Sequence, residues 1–242
     1  MGVSLRIAHL YPDMLNLYGD RGNIIVLTGR MRARGIDVQT EQITMGKAFN
    51  ADDYDIFFIG GGQDFEQDVL LDDLTKGKDV QINKAIHSGR VMLAICGGYQ
   101  MLGKYYKTYD GKILQYMGAL DFYTEGREER MIGNYAYKTK EGIEVVGFEN
   151  HSGRTYLGKD TEPLGRVIKG YGNNGEDGTE GVRFLNTFGT YSHGPVLPKN
   201  PQLADLLISK ALENKYGKSD LKPLDDKLEA LAQKQVMKLY IR

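Results

Sequence analysis

The stretch RVMLAICGGYQML, residues 90–102, decides the reading of the fold. Its first part, RVMLAI, is a continuous apolar run, the pattern of a strand buried on both faces of a parallel sheet. Cys96 ends the run and two glycines follow. A residue at a sharp turn from such a strand into a helix is held up at the C-terminal edge of the sheet, and small residues after it let the chain turn. Cys96 is also the only cysteine in the chain. By residue type alone, a buried inert thiol is the commoner case. The order strand, Cys-Gly-Gly, helix reverses that preference and makes Cys96 a candidate nucleophile. The Gly97 N–H would then lie beside the reacting carbon as an oxyanion donor.

Working outward, SLRIAHLY (4–11) alternates apolar and polar residues and reads as a first strand. GNIIVLTGRMRARG (22–35) sets Ile24, Leu27 and Met31 on one helical face, with Gly35 as a cap. DVQTEQI (37–43) is a second strand, and YDIFFIGGGQD (54–64) is a buried strand ending in three glycines. DVQINKAIHSG (79–89) closes a helix, and GGYQMLGKYY (97–106) begins another. This rhythm predicts an α/β fold of three layers, a mostly parallel, doubly wound sheet flanked by helices.

The second half changes texture. DFYTEG (121–126), RMIGNYAYKTKEGIEVVGFEN (130–150) and GRVIKGYGNNGEDGTEGVRF (165–184) read as short antiparallel strands between Gly, Asn and Asp turns. PQLADLLISKALENKYG (201–217) is an amphipathic helix with Leu203, Leu206, Leu207 and Ala211 on one face. After the linker-like GKSDLKP, the tail carries Leu228, Leu231, Ala232 and Leu239 at helical spacing. One domain is expected over residues 1–220, with a helical tail at 221–242 that packs on it or docks a partner.

The 242 residues carry 31 basic and 32 acidic side chains, so no overall field draws the chain to nucleic acid or an anionic membrane. No apolar run approaches the roughly 18 residues of a membrane span. The opening MGVSLRIAHLYPDM does not read as a signal peptide, and a lone cysteine excludes an internal disulfide; a cytoplasmic protein is expected.

A cysteine nucleophile needs a base. Of four histidines, His9 lies inside the first strand and His87 near a helix end, both structural positions. His193, in GTYSHGP (189–195), sits where a strand gives way to a loop and is the candidate base; His151, in the polar stretch GFENHSGRT (147–155), is the reserve. No histidine pair has i, i+4 spacing and there is no Cys pair, so no metal site is expected. The glycines at 60–62 bring backbone N–H groups close to a ligand, but neither a dinucleotide fingerprint nor a P-loop is present. Arg130 follows a charged loop. It is either an ordinary surface arginine or a bidentate carboxylate holder.

GGGQD (60–64), AICGGYQMLG (94–103) and GTYSHGP (189–195), in this order, resemble the class I glutamine amidotransferases, and more narrowly the branch with cobyric acid synthase-type domains. LYPDMLNLYGDRGN (10–23), GFENHSGRT and SHGPVLPKNPQLAD (192–205) look most like the stand-alone glutaminase subunits of lipid II isoglutaminyl synthase within that branch. The resemblance implies a flavodoxin-like fold and hydrolysis of L-glutamine through a Cys96 thioester. His193 would move the protons, and Gly97 with a glycine of the turn, Gly61 or Gly62, would bind the oxyanion. It implies that Gln100 helps hold glutamine and that Arg130 grips its α-carboxylate. It implies no cofactor in this chain. ATP is expected on a Mur ligase-like partner, MurT, which would form a heterodimer with this chain and amidate the D-glutamate α-carboxyl of the lipid II stem peptide. Supply of ammonia to a cobyrinate-type acceptor is the alternative. One departure stands out. Most class I members carry a carboxylate two residues after the histidine, where this chain has Pro195. Either a dyad suffices, or the carboxylate comes from elsewhere in the chain or from a partner.

Overall fold

A computed structural model describes residues 2–241. The first sheet is built from β1 (Ser4–Leu10), β2 (Asp37–Ile43), β3 (Ile56–Ile59), β4 (Val91–Ile95), β11 (Val182–Phe184) and β12 (Thr187–Thr190). Its order is β11-β12-β4-β3-β1-β2, and every pairing is parallel except β11 with β12. Read from the other edge, the parallel strands follow the 2-1-3-4-5 order of flavodoxin-like sheets. β3 and β4 are buried along their whole length, as their unbroken apolar runs require, whereas edge strand β2 exposes or half-exposes alternate residues.

Helix α1 (Arg21–Ala33) connects β1 to β2, and α5 (Pro201–Tyr216) packs against it. Between β3 and β4 run α2 (Asp64–Asp73) and α3 (Asp79–His87). They are joined by a kink at Leu74–Lys78, where Gly77 takes φ 110°. Among the described residues, no helix is long and apolar enough to cross a membrane.

The helix after Cys96 is shorter than its sequence implied. α4 spans only Gly97–Gln100, and Tyr105–Lys107 is a strand, β5. Gly103 causes the stop: a Cβ there would stand 2.5 Å from the Phe122 ring, and Lys104 N–H is taken by the Phe122 carbonyl at 2.8 Å. The strands of the second half are longer than expected. β7 (Phe122–Thr139) and β8 (Glu144–Leu157) form one long antiparallel ribbon. It is interrupted by a register shift between Gly126 and Met131, where four charged residues bulge out. β5, β6 (Ile113–Gln115), β9 (Gly165–Lys169) and β10 (Thr179–Glu180) complete this second sheet.

The tail forms α6 (Lys227–Val236) and a final turn at Met237–Ile241. Met237 and Ile241 pack on Ala136 and Val146 of the ribbon, and Arg30 holds Asp226 at 2.6 Å. Leu228, Leu231, Ala232 and Leu239, which share helical spacing, are exposed.

Candidate active site

Cys96 stands between β4 and α4 with φ 46° and ψ −108°, a backbone conformation that favours glycine. Three neighbours force this turn to be tight. A Cβ on Gly98 would meet the Gly60 carbonyl at 2.6 Å, and one on Gly97 would meet the Gly62 carbonyl at 2.6 Å. The Cys96 N–H is held by the Thr190 carbonyl at 2.9 Å. The two glycine turns after β3 and β4 therefore interlock, and only glycine fits.

One cavity of about 220 Å³ opens at the C-terminal ends of these strands, where ligands bind in open α/β sheets. Cys96, Gln100, Gly62 and Arg130 all line it, so residues far apart in the chain are brought to one site. Arg130 lies at the end of the β7 bulge and does not begin a strand, as the charged run had suggested. Its Nε donates to Asn150 Oδ1 at 2.8 Å and one Nη to the Asn150 carbonyl at 3.0 Å, which fixes the guanidinium at the cavity wall.

Gln100 is buried in a hydrogen-bonded chain. It accepts from Gln67 Nε2 at 3.2 Å and donates to Tyr191 Oη at 3.1 Å. Tyr116 Oη donates to Gln67 Oε1 at 2.6 Å. Gln67 also lines the cavity and touches the Gly97 turn, since a Cβ on Gly97 would lie 2.9 Å from its Nε2. Its sequence neighbourhood, FEQDV, reads only as the start of a helix, so nothing local marks it.

His193 is fully buried, and its N–H is held by the Phe148 carbonyl at 2.8 Å. Neither ring nitrogen has a hydrogen-bond partner, but Nδ1 is 3.8 Å from Oδ2 of Asp20, also fully buried. Burial alone would lower the pKa of His193. The negative charges of Cys96 and Asp20 outweigh it and push it up to about 10. Gly61 sits where the three groups meet: a Cβ there would lie 2.8 Å from His193 Cε1, 3.1 Å from Asp20 Oδ2 and 3.4 Å from Cys96 Cβ. The Gly61 N–H donates to Asp20 Oδ2 at 2.8 Å, so that amide is already engaged. Gly62 is the glycine of this turn that faces the cavity.

His151 lies inside β8, not in a polar loop. It lines the cavity, and its ring stacks on Tyr191 with centroids 3.5 Å apart. Burial pushes its pKa down to about 3, and its Nδ1 bonds the Gly153 carbonyl at 2.8 Å, so it is neutral. His9 packs on Phe58 and His87 on Phe184, and neither lines the cavity.

A cysteine on a strained strand-to-helix turn, a buried histidine beside it, and backbone amides at the turn make a site for acyl transfer. Residues 6–201 match the CobB/CobQ-like glutamine amidotransferase domain. The chain belongs to this family of glutamine amidotransferases. It is 46% identical over 233 residues to a lipid II isoglutaminyl synthase (glutamine-hydrolyzing) subunit GatD of Staphylococcus aureus, covering 96% of this chain and 94% of that one. To the subunit of the same name from Streptococcus pneumoniae it is 44% identical over 215 residues, covering 88% and 82%. A glutamine amidotransferase structure from Thermotoga maritima superimposes over 97% of this chain and 92% of that one with a TM-score of 0.55 at 15% identity, a likeness of fold. Membership of the amidotransferase family thus agrees with the fold and with the ordered glycine, cysteine and histidine segments.

Proposed function

We propose that the chain is the glutaminase subunit of a lipid II isoglutaminyl synthase. The observation that carries this reading is the single small cavity shared by Cys96, Gln100 and Arg130. At about 220 Å³ it is smaller than the ~300–1,000 Å³ of drug-sized sites and suits one amino acid.

In this reading Arg130 pairs with the α-carboxylate of L-glutamine, and Gln100 helps orient the substrate. His193 takes the thiol proton, and Cys96 Sγ attacks the carboxamide carbon. The carbonyl electron pair moves to oxygen, where the Gly97 and Gly62 amides stabilise it. The C–N bond then breaks as His193 gives its proton to the departing nitrogen, releasing ammonia and leaving a thioester. Water, deprotonated by His193, attacks the thioester; glutamate leaves and the thiol is restored.

The named relatives are subunits, which supports a partner that consumes the ammonia. We assign that part to a Mur ligase-like subunit, MurT, which would use ATP to activate the D-glutamate α-carboxyl of the lipid II stem peptide. A cytoplasmic location fits this supply of ammonia. The test is to co-express the chain with such a subunit and supply L-glutamine labelled with ¹⁵N in the amide. Label in the isoglutamine of lipid II, lost with Cys96→Ala, is the expected result. Unlabelled lipid II beside active glutamine hydrolysis would overturn the acceptor, and ammonia release by Cys96→Ala would overturn the chemistry.

A further inference from the structure

We propose that Asn150 is a positioning residue for Arg130: it sets which edge of the guanidinium faces the cavity and leaves that charge unpaired, so that the site selects a substrate bearing an α-carboxylate. This rests on the reading of Arg130 as the group that pairs with the α-carboxylate of L-glutamine.

Three observations carry it. First, a guanidinium has two edges that can take a carboxylate bidentately, one made by Nε and Nη2 and one by Nη1 and Nη2. Asn150 occupies the first. Its Oδ1 accepts from Nε at 2.8 Å and its carbonyl from Nη2 at 3.0 Å. The second edge keeps its donors, and both residues line the cavity.

Second, the group that holds Arg130 is neutral. The bulge also carries Glu128 and Glu129, and Arg127 within it pairs with Glu125 at 3.1 Å. Among the described residues, no carboxylate pairs with Arg130. An aspartate in place of Asn150 would offer the same acceptor, but it would offset the charge that a ligand carboxylate needs. An amide fixes the arginine and spares that charge.

Third, the amide is itself held. Asn150 lies in β8 opposite Ile132, where pairing with β7 has resumed beyond the bulge. Its Nδ2 donates to Tyr18 Oη, which leaves Oδ1 for Arg130. Tyr18 takes φ 56°, and its ring lies 4.8 Å from that of His193. A long side chain leaving an exposed bulge is thus anchored to a regular strand, the kind of element that keeps a site's geometry. Without that anchor the substrate would have to order the arginine at each binding event.

The test is steady-state glutamine hydrolysis by the full chain, with its partner subunit where the two co-purify. Asn150→Ala leaves Arg130 in place but unheld. KM for L-glutamine should rise about five- to tenfold, the cost of ordering one such side chain, with kcat changed by less than about twofold. Asn150→Asp should raise KM at least about threefold further, because its charge competes with the substrate for the guanidinium. A residue that only braced the ribbon would give the reverse order, since aspartate keeps the acceptor and alanine loses it. γ-Aminobutyramide, which is glutamine without its α-carboxylate, supplies a second readout. Its kcat/KM should change by less than about twofold in Asn150→Ala, so the preference for L-glutamine falls as KM rises. With Arg130→Ala already present, Asn150→Ala should leave KM where it was. An unchanged KM in Asn150→Ala, or a KM for Asn150→Asp at or below that of Asn150→Ala, would overturn the proposal. So would a fall in kcat at constant KM, which would make Asn150 a support for Tyr18 beside His193. An unchanged KM in Arg130→Ala would instead overturn the reading beneath it.

Discussion

The Cys96 amide donates to the Thr190 carbonyl at 2.9 Å, three residues before His193. This bond ties the turn after β4 to the end of β12, and it uses only backbone atoms. The side chain of Cys96 can therefore be changed without loosening the registration of the two strands.

Substitution at Cys96 should separate chemistry from stability. Cys96→Ala and Cys96→Gly are both expected to abolish glutamine hydrolysis. Alanine keeps the strained φ of 46°, whereas glycine adopts it freely. Cys96→Gly should therefore be more stable than Cys96→Ala by about 1 kcal/mol in urea unfolding. Equal stabilities would mean that the turn stores no strain.

The parallel sheet was legible because β3 and β4 are unbroken apolar runs that end in glycines, a pattern with one common solution. The ribbon was not. Arg127, Glu128 and Glu129 look like a loop ahead of a strand at Arg130, and only the pairing with β8 on either side reveals a bulge within one strand. Cys96 was singled out from its own segment, Gln100 and Arg130 only through the family resemblance, and one cavity is lined by all three. Asp20 and Gln67 were not singled out. Each sits at a helix start, where an acidic or amide side chain has an ordinary local explanation, and only the tertiary approach to His193 or Gln100 shows where it points.

Arg130 should act on substrate capture. Its Nε and one Nη are spent on Asn150. The remaining donors face a cavity where a carboxylate would form a charge-assisted contact worth ~1.5–3 kcal/mol. Arg130→Ala is expected to raise KM by roughly 10- to 100-fold with a smaller effect on kcat. Arg130→Lys should recover only part of this, because lysine cannot bond Asn150 and substrate in one plane. Steady-state kinetics on both variants decide it; an unchanged KM in Arg130→Ala would remove the arginine from the site.

Gly153 tests the hydrogen-bonded chain under the cavity. A Cβ there would stand 2.4 Å from Gln100 Nε2 and 2.8 Å from Thr124 Cγ2, both buried. Gly153→Ala should push Gln100 off Tyr191, lowering kcat/KM at least tenfold and costing about 1–3 kcal/mol of stability. A kcat/KM equal to that of the wild type would show that Gln100 can move without consequence.

The pH dependence of stability should be the balance of two opposed sets of buried groups. Burial raises Glu149 and Glu180 to about 7, so the folded protein holds protons on them that the unfolded chain loses near 4.5. Their contribution makes stability fall as pH rises between those values. Burial lowers His9 to about 4 and His151 to about 3, so below 6.5 the unfolded chain binds protons that the folded one refuses. Their contribution makes stability rise with pH in almost the same window. The two slopes offset each other, and the wild type should change little between pH 5 and 6.5. Above 6.5 the histidine gain is exhausted. His193, raised to about 10, then gives up a stabilisation that is complete below 6.5 and lost as pH climbs through 10, so stability should decline on the alkaline side. Glu149→Gln removes one of the falling contributions. Relative to the wild type it should gain about 3 kcal/mol on going from pH 4.5 to 7.5, whatever fixed loss the substitution carries. Urea midpoints of both proteins across this range measure the difference. A constant difference would mean that Glu149 is ionised in the folded protein throughout, held by the Tyr171 and Gly172 amides that donate to it.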